Sequence, residues 1–194
     1  MRPGNVSRMA ASVDAASGTD DVASARELLL RSFQWAGGHA DFATAFRSPE
    51  LLAVVGPALA RPVRDAGATA VVGIEARGFI VATLVARALG IGLVLARKPG
   101  AVHPNAEREL ASSLDWRGRT LELAISRDAV QHGDRVLLAD DWIETGSQAT
   151  TVAHLLDRLG AQLAGVTVLV DGTTDHIRAE LHVVGLVSAE DLPA

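Results

Sequence analysis

The chain has 194 residues, no cysteine and a formal net charge of -5, with 48% hydrophobic and 21% charged residues. That composition describes a globular domain with its own core rather than a disordered chain. The missing thiols exclude disulfides, thiolate catalysis and cysteine-held zinc, and the acidic balance argues against a general nucleic-acid binder. The six histidines show no His-x-x-x-His spacing, so any metal would be a hard cation held by carboxylate and substrate oxygens.

Residues 1–21 are rich in Ala, Ser and Gly and lack an apolar centre. They read as a disordered leader rather than a secretory signal, with one domain over 22–194 and a reducing cytoplasm as the compatible setting. Residues 22–35 have helical character, with Leu28, Leu29 and Phe33 on the apolar side. A second helix is expected over 48–66, where Ser48 caps the start and Pro49 occupies the first turn. Residues 70–74 read as a short strand, and 78–89 as a helix closed by Gly90. The longest apolar stretch, 79–96, is broken by Arg87, Gly90 and Gly92, which makes it a helix followed by a strand over 93–96 rather than a membrane span.

Residues 98–118 are long, polar and weakly patterned, the signature of a functional mobile loop. Further along, 120–125 alternates like a strand and 135–139 reads as a buried strand. A helix over 149–159 stops at Gly160, and a strand over 166–170, a short helix over 173–180 and a last strand over 183–187 complete the chain. No internal repeat is visible. Apolar strands alternating with helices predict an α/β fold, a mostly parallel central sheet flanked by helices, with the ligand beyond the carboxyl ends of the strands.

One segment concentrates the chemistry. Four apolar residues, Val136 to Ala139, run into Asp140 and Asp141, and Trp142-Ile143-Glu144-Thr145-Gly146-Ser147-Gln148 then leads into a helix. Adjacent side chains of an extended strand point to opposite sides, so both acids reach one ligand only if the chain turns there. The loop offers amides at a helix N-terminus, a ready anion site, with Thr145 and Ser147 adding hydroxyls and Gly146 allowing close approach. Either half alone also fits a solvated turn or a simple helix cap; the two in sequence after a buried strand point to function. The Gly-x-x-x-x-Gly-Lys nucleotide loop is absent.

This segment resembles the 5-phosphoribosyl-1-pyrophosphate (PRPP) motif of type I phosphoribosyltransferases: a hydrophobic strand, then Asp-Asp-x-x-x-Thr-Gly. Gly73-Ile74-Glu75-Ala76-Arg77-Gly78-Phe79 is similar to the pyrophosphate loop of the adenine phosphoribosyltransferases. Leu95-Ala96-Arg97-Lys98-Pro99-Gly100 is similar to that family's Arg-Lys-x-Gly segment. The resemblance implies the type I phosphoribosyltransferase fold with a small hood, and transfer of phosphoribose to a nucleobase, adenine first among purines, as in purine salvage.

The resemblance also implies roles. Asp140 and Asp141 would bind the ribose hydroxyls, touching Mg²⁺ only through substrate, and Glu144, Thr145, Gly146, Ser147 and Gln148 would hold the 5′-phosphate. Glu75, Ala76, Arg77, Arg97 and Lys98 would hold pyrophosphate. A guanidinium can grip that leaving group bidentately. Glu144 stands where the adenine enzymes carry a small residue and the hypoxanthine-guanine enzymes carry an Asp acting on the base, so it is a candidate general base. Ser113-Leu114-Asp115-Trp116 partly matches the family's Ser-Leu-Glu-Tyr, making Asp115 a second candidate.

For the base, Trp35 and Phe42 offer flat aromatic faces, His39 and Asp41 offer polar edges, and the backbone around Asp171 follows the strand after the motif. The family's Phe-Arg-Asp stretch is absent, and Ala101 stands where a second Lys usually follows its Arg-Lys-x-Gly segment. The alternatives are a transferase for another heterocycle and a PRPP-sensing regulator without catalysis; a PRPP-making diphosphokinase would need an ATP site that no motif supplies. The expected partners are PRPP, a nucleobase and a second copy of the chain, with no nucleic acid and no membrane.

Overall fold

A computed structural model describes residues 18–100, 105–110 and 122–193. Helix α1 spans Gly18–Ser32, so it begins inside the stretch expected to be leader and ends short of Trp35. Two short strands, β1 (Trp35–Ala36) and β2 (His39–Ala40), pair antiparallel across Gly37 and Gly38. Trp35 therefore lies in a hairpin, not in the helix that apolar spacing suggested. Asp41 caps the single turn of α2 (Phe42–Ala45), and Ser48 caps α3 (Pro49–Ala60), accepting a hydrogen bond from Leu51 N–H. The expected helix over 48–66 tightens at Arg61–Ala66 into a 3₁₀ turn, where Pro62 removes a backbone donor.

Strand β3 (Ala70–Ile74) leads into α4 (Gly78–Leu89), which Gly90 closes at φ 72°. Strand β4 (Gly92–Ala96) follows. Strands β5 (Ala106–Leu110) and β6 (Glu122–Ser126) form an antiparallel ribbon. Strand β7 (Arg135–Ile143) precedes α5 (Ser147–Arg158), and β8 (Gln162–Asp171), α6 (Asp175–Glu180) and β9 (Val183–Ser188) complete the order.

The central sheet has the order β4-β3-β7-β8-β9, and all its pairings are parallel. Both faces are covered, so its strands read as apolar runs rather than alternating ones. Val71, Leu137 and Ala139 pack with α1, α3 and α4, while Val72, Val136 and Leu138 pack with α5 and the ribbon. From β3 the chain winds outward to β4, and from β7 it winds the other way to β8. The reversal between β3 and β7 is a topological switch point, the place where open α/β sheets bind ligands. Among the described residues, no helix is long and apolar enough to cross a membrane.

Close packing of α4 sets the floor of that point. A Cβ on Gly73 would lie 2.4 Å from Gly78 O and 2.7 Å from Ala82 Cβ. Glycine at 73 lets the first turn of α4 lie directly on β3 and brings Gly78 against the next strand.

Candidate active site

A cleft of about 540 Å³ opens at the carboxyl ends of β3 and β7, and the segments after both strands line it. The expectation that the chain must turn at the acid pair is corrected here. Strand β7 continues through Asp140 and Asp141 to Ile143, held by β8 through pairs such as Asp140 with Val168 and Trp142 with Val170. Its pairing with β3 stops at Leu138, so the two strands part and both acids border the opening between them. Asp140 faces Gly78: a Cβ there would lie 2.6 Å from Asp140 Oδ1. Asp141 is buried and lies 2.8 Å from Arg77 Nε. That contact is an ion pair without the alignment of a hydrogen bond, since Asp141 Oδ2 has no hydrogen-bond partner.

Burial, reinforced by the neighbouring charge of Asp141, pushes Asp140 well above the usual carboxylate range. Asp140 Oδ1 accepts the Asp141 backbone N–H at 2.9 Å. The floor of the cleft thus carries two adjacent carboxylates, one disfavoured as an anion and one matched to a guanidinium.

The loop after β7 is arranged as an anion cradle. Glu144 and Thr145 are exposed to the cleft, and Gly146, at φ 74°, is the residue from which α5 starts. Ser147 N–H donates to Thr145 Oγ1 (3.3 Å), and Thr151 Oγ1 donates to Ser147 O (2.8 Å). The remaining amides of the first turn of α5 face outward by helix geometry and carry the positive end of its dipole.

The opposite wall supplies cationic groups. The Arg77 guanidinium sits 5.2 Å from the Phe42 ring centroid, and its Nη1 donates to Ala40 O at 3.2 Å. Lys98 lines the cleft. Its backbone N–H donates to Glu75 Oε2 (2.9 Å), while Glu75 Oε1 lies 3.6 Å from Arg97 Nη2. Glu75 therefore joins the two loops, and its negative carboxylate is spent on that clasp rather than offered to an anion. Ala76 lines the cleft, and the Glu75–Ala76 peptide is cis. Arg97 is half-buried beside Glu75 and is absent from the lining.

Two base candidates move. Phe42 is fully buried beneath Arg77 and packs against Phe33 and Phe46, so its ring presents no open face to a base. Asp171 is buried away from the cleft lining: Arg178 Nε (2.6 Å), Thr173 N–H (2.8 Å) and Thr173 Oγ1 (2.6 Å) all donate to it. Burial raises its pKa, but these bonds outweigh that effect and leave it below the usual carboxylate range. Trp35 stays in place. It lines the cleft, is 45% exposed and anchors its indole N–H on Pro193 O at 2.9 Å.

Trp142, between the acids and the loop, has no role that the motif alone assigns. It also lines the cleft and meets Trp35 edge-to-face, with ring centroids 6.2 Å apart. His39 of the hairpin joins this wall, whereas Asp41 turns its carboxylate to the cap of α2. The C-terminal stretch completes the sheet through β9, and Trp35, Gly38, His39 and Ala40 of the hairpin line the cleft. Asp115, Ala101 and the rest of the 113–116 match lie outside the described residues.

The family model described as the phosphoribosyl transferase domain matches residues 41–192. The adenine phosphoribosyltransferase of Frankia casuarinae is 42% identical to this chain over 131 residues, 68% of each chain. A crystal structure of the enzyme of that name from Rhodothermus marinus is similar over 86% of this chain and 99% of its own, with a TM-score of 0.73 and 29% identity. The Saccharomyces cerevisiae enzyme, solved with an imino-altritol bisphosphate and adenine, is similar over 84% of this chain and 99% of its own, with a TM-score of 0.71 and 25% identity.

Proposed function

This chain belongs to the phosphoribosyl transferase domain family, and on that premise we propose that it transfers the 5-phosphoribosyl group of PRPP to adenine, giving AMP and pyrophosphate. The observation that carries the reading is convergence: the acid pair, the loop before α5 and Arg77 line one cleft at the switch point of the sheet.

Asp140 and Asp141 accept hydrogen bonds from the ribose hydroxyls. As the bond from C1 to pyrophosphate breaks, the anionic charge that the acid pair carries stabilises the positive charge that develops on the sugar. Thr145, Gly146, Ser147 and Gln148 hold the 5′-phosphate at the start of α5. Arg77 and Lys98 bind the departing pyrophosphate, which leaves with the electron pair of the broken bond. Arg97 supports them through Glu75. The base nitrogen bonds to C1 from the face opposite the departing pyrophosphate, and Glu144 takes its proton. Trp35 and Trp142 form the wall for a flat ring. Glu144 heads the same loop, where its carboxylate would repel a phosphate, which favours a role toward the base.

Mg²⁺ fits this donor set. Two carboxylates adjoin, Asp141 Oδ2 lacks a hydrogen bond, and among the described residues no group of three or more His, Asp or Glu gathers to cage a metal. Such a site suits a cation that takes most of its ligands from phosphates and water; bound there, it would offset the charge of the leaving group. The exposed Leu93 and Leu95 on edge strand β4 and Ile80 on α4 support pairing with a second copy, and the absence of cysteine suits the cytoplasm.

The experiment is a panel of purines, pyrimidines and other heterocycles incubated with PRPP, with and without Mg²⁺, reading pyrophosphate release. Release with adenine that depends on Mg²⁺ is the expected result. Release only with another heterocycle would replace adenine, and tight PRPP binding without turnover on the whole panel would make the protein a sensor.

A further inference from the structure

We propose that α6 is a strut that shapes the phosphate end of the cleft, with Arg178 and Ile177 as positioning residues; this rests on the assignment of the 5′-phosphate to the loop before α5. Helix α6 lies outside the cleft, yet its side chains press on the loop from behind. A Cβ on Gly146 would lie 2.8 Å from Ile177 Cγ2 and 3.1 Å from Leu181 Cδ1. Those two apolar groups fill the space behind the one loop residue at positive φ. Gly146 is thus backed on one side by Ile177 and Leu181 while it lines the cleft.

The strut is fixed at its other end. Arg178 Nε donates to Asp171 Oδ2 (2.6 Å), Nη1 to Asp175 Oδ1 (2.6 Å) and Nη2 to Thr173 O (2.9 Å). One guanidinium therefore ties the first turn of α6 and the turn before it to the last residue of β8. Both oxygens of Asp171 are engaged, Oδ1 by Thr173 and Oδ2 by Arg178. Strand β8 is itself in register with β7 up to the pair of Ile143 with Asp171, and Gly172 N–H donates to Ile143 O at 2.8 Å. The path runs from the end of β7 to β8, through Asp171 and Arg178 into α6, and back through Ile177 to Gly146. It closes on the segment that leaves β7, so the loop is held at both ends by rigid elements. A six-residue helix is too short to be stable alone. Its fixed position therefore depends on these bonds and on Ile177 and Leu181 packing against the core.

The strut acts on the phosphate loop and not on Arg77 or Lys98, which belong to the other side of the cleft. That separation gives the test. Wild-type protein, Ile177→Ala, Arg178→Met and Arg178→Lys are titrated calorimetrically with ribose 5-phosphate and, separately, with magnesium pyrophosphate, and KM for PRPP and kcat are measured with adenine. We expect ribose 5-phosphate affinity to fall and KM for PRPP to rise by about tenfold in Ile177→Ala and Arg178→Met, a loss of about 1.4 kcal/mol. Pyrophosphate affinity and kcat should stay within about twofold, a difference of a few tenths of a kcal/mol, and Arg178→Lys should fall between. Ile177→Ala keeps every ion pair, so it decides the matter if Arg178→Met does not fold. Ribose 5-phosphate affinity equal to wild type in Ile177→Ala, or a parallel loss of pyrophosphate affinity, would overturn the strut. Wild-type protein that binds neither ligand would overturn the phosphoribosyl reading itself, and the strut with it.

Discussion

Replacing Gly78 with Ala should separate activity from stability. Gly78 is the first residue of α4, and its backbone is helical, so Ala brings no conformational strain and adds up to about 1 kcal/mol of helix propensity. Its new methyl would sit 2.6 Å from Asp140 Oδ1 and 3.0 Å from Asp140 Cγ, several tenths of an ångström inside ordinary contact. Backbone on both sides is packed, because Gly73 lies under the same turn, so the carboxylate must move. Rotating it off its preferred angle costs about 0.5–1.5 kcal/mol, which offsets the helix gain and leaves the melting temperature nearly unchanged. The displaced Asp140 loses its aim at the ribose. A charge-assisted hydrogen bond contributes about 1.5–3 kcal/mol, so kcat/KM for PRPP should fall about 10- to 150-fold. A continuous absorbance assay of adenine conversion, run beside a thermal melt, reads both quantities. Unchanged kcat/KM would refute the placement of Asp140 at the sugar, and a melting temperature that falls with activity would refute the local argument.

Asp140→Asn should raise stability in a pH-dependent way while reducing transfer at least about tenfold, as expected for loss of a charge-assisted hydrogen bond. Asp140 binds its proton more tightly when folded, so its ionisation costs stability as pH rises above the unfolded value of about 3.9. The variant's advantage in melting temperature should therefore vanish below that pH and grow above it, and an advantage confined to acid would contradict the burial of Asp140. Arg77→Met leaves Asp141 Oδ2 buried without its cation, which should destabilise the fold by about 1–3 kcal/mol in urea unfolding and weaken inhibition by pyrophosphate. Inhibition equal to wild type would remove Arg77 from that role. Glu144→Gln should slow turnover strongly with PRPP affinity nearly intact, because the amide cannot take a proton; an unchanged turnover number would eliminate Glu144 as the base.

Local signals carried much of the fold. Gly90 marks the end of α4 because the chain needs a left-handed residue there, and β3 is legible because all five of its residues are apolar and buried. The acid pair and its loop were legible for a similar reason, since strand, carboxylates and helix start lie consecutively in the chain. What escaped the sequence depends on distant partners. Whether β7 turns or continues at Asp140 is decided by β8, which pairs with it, and by β3, which leaves it. Phe42 looks like a stacking residue until Arg77 covers its ring. Asp171 looks available until Arg178 takes it. The hairpin of Trp35 carries a helical-looking flank, and Gly37 and Gly38 were the signal that it turns. Glu107 gave no signal at all: it is buried where the ribbon meets α5, between Arg127 and Arg158.

The pairing of Arg77 with Asp141 across the open cleft has a consequence for how affinity is read. Each partner is wanted elsewhere once substrate arrives, the cation by diphosphate and the anion by a sugar hydroxyl. Occupancy therefore exchanges one set of matched charges for another, and the measured free energy is the difference between them. Ionic strength should therefore weaken the bound and empty states together more nearly than the charge of the ligand alone would imply.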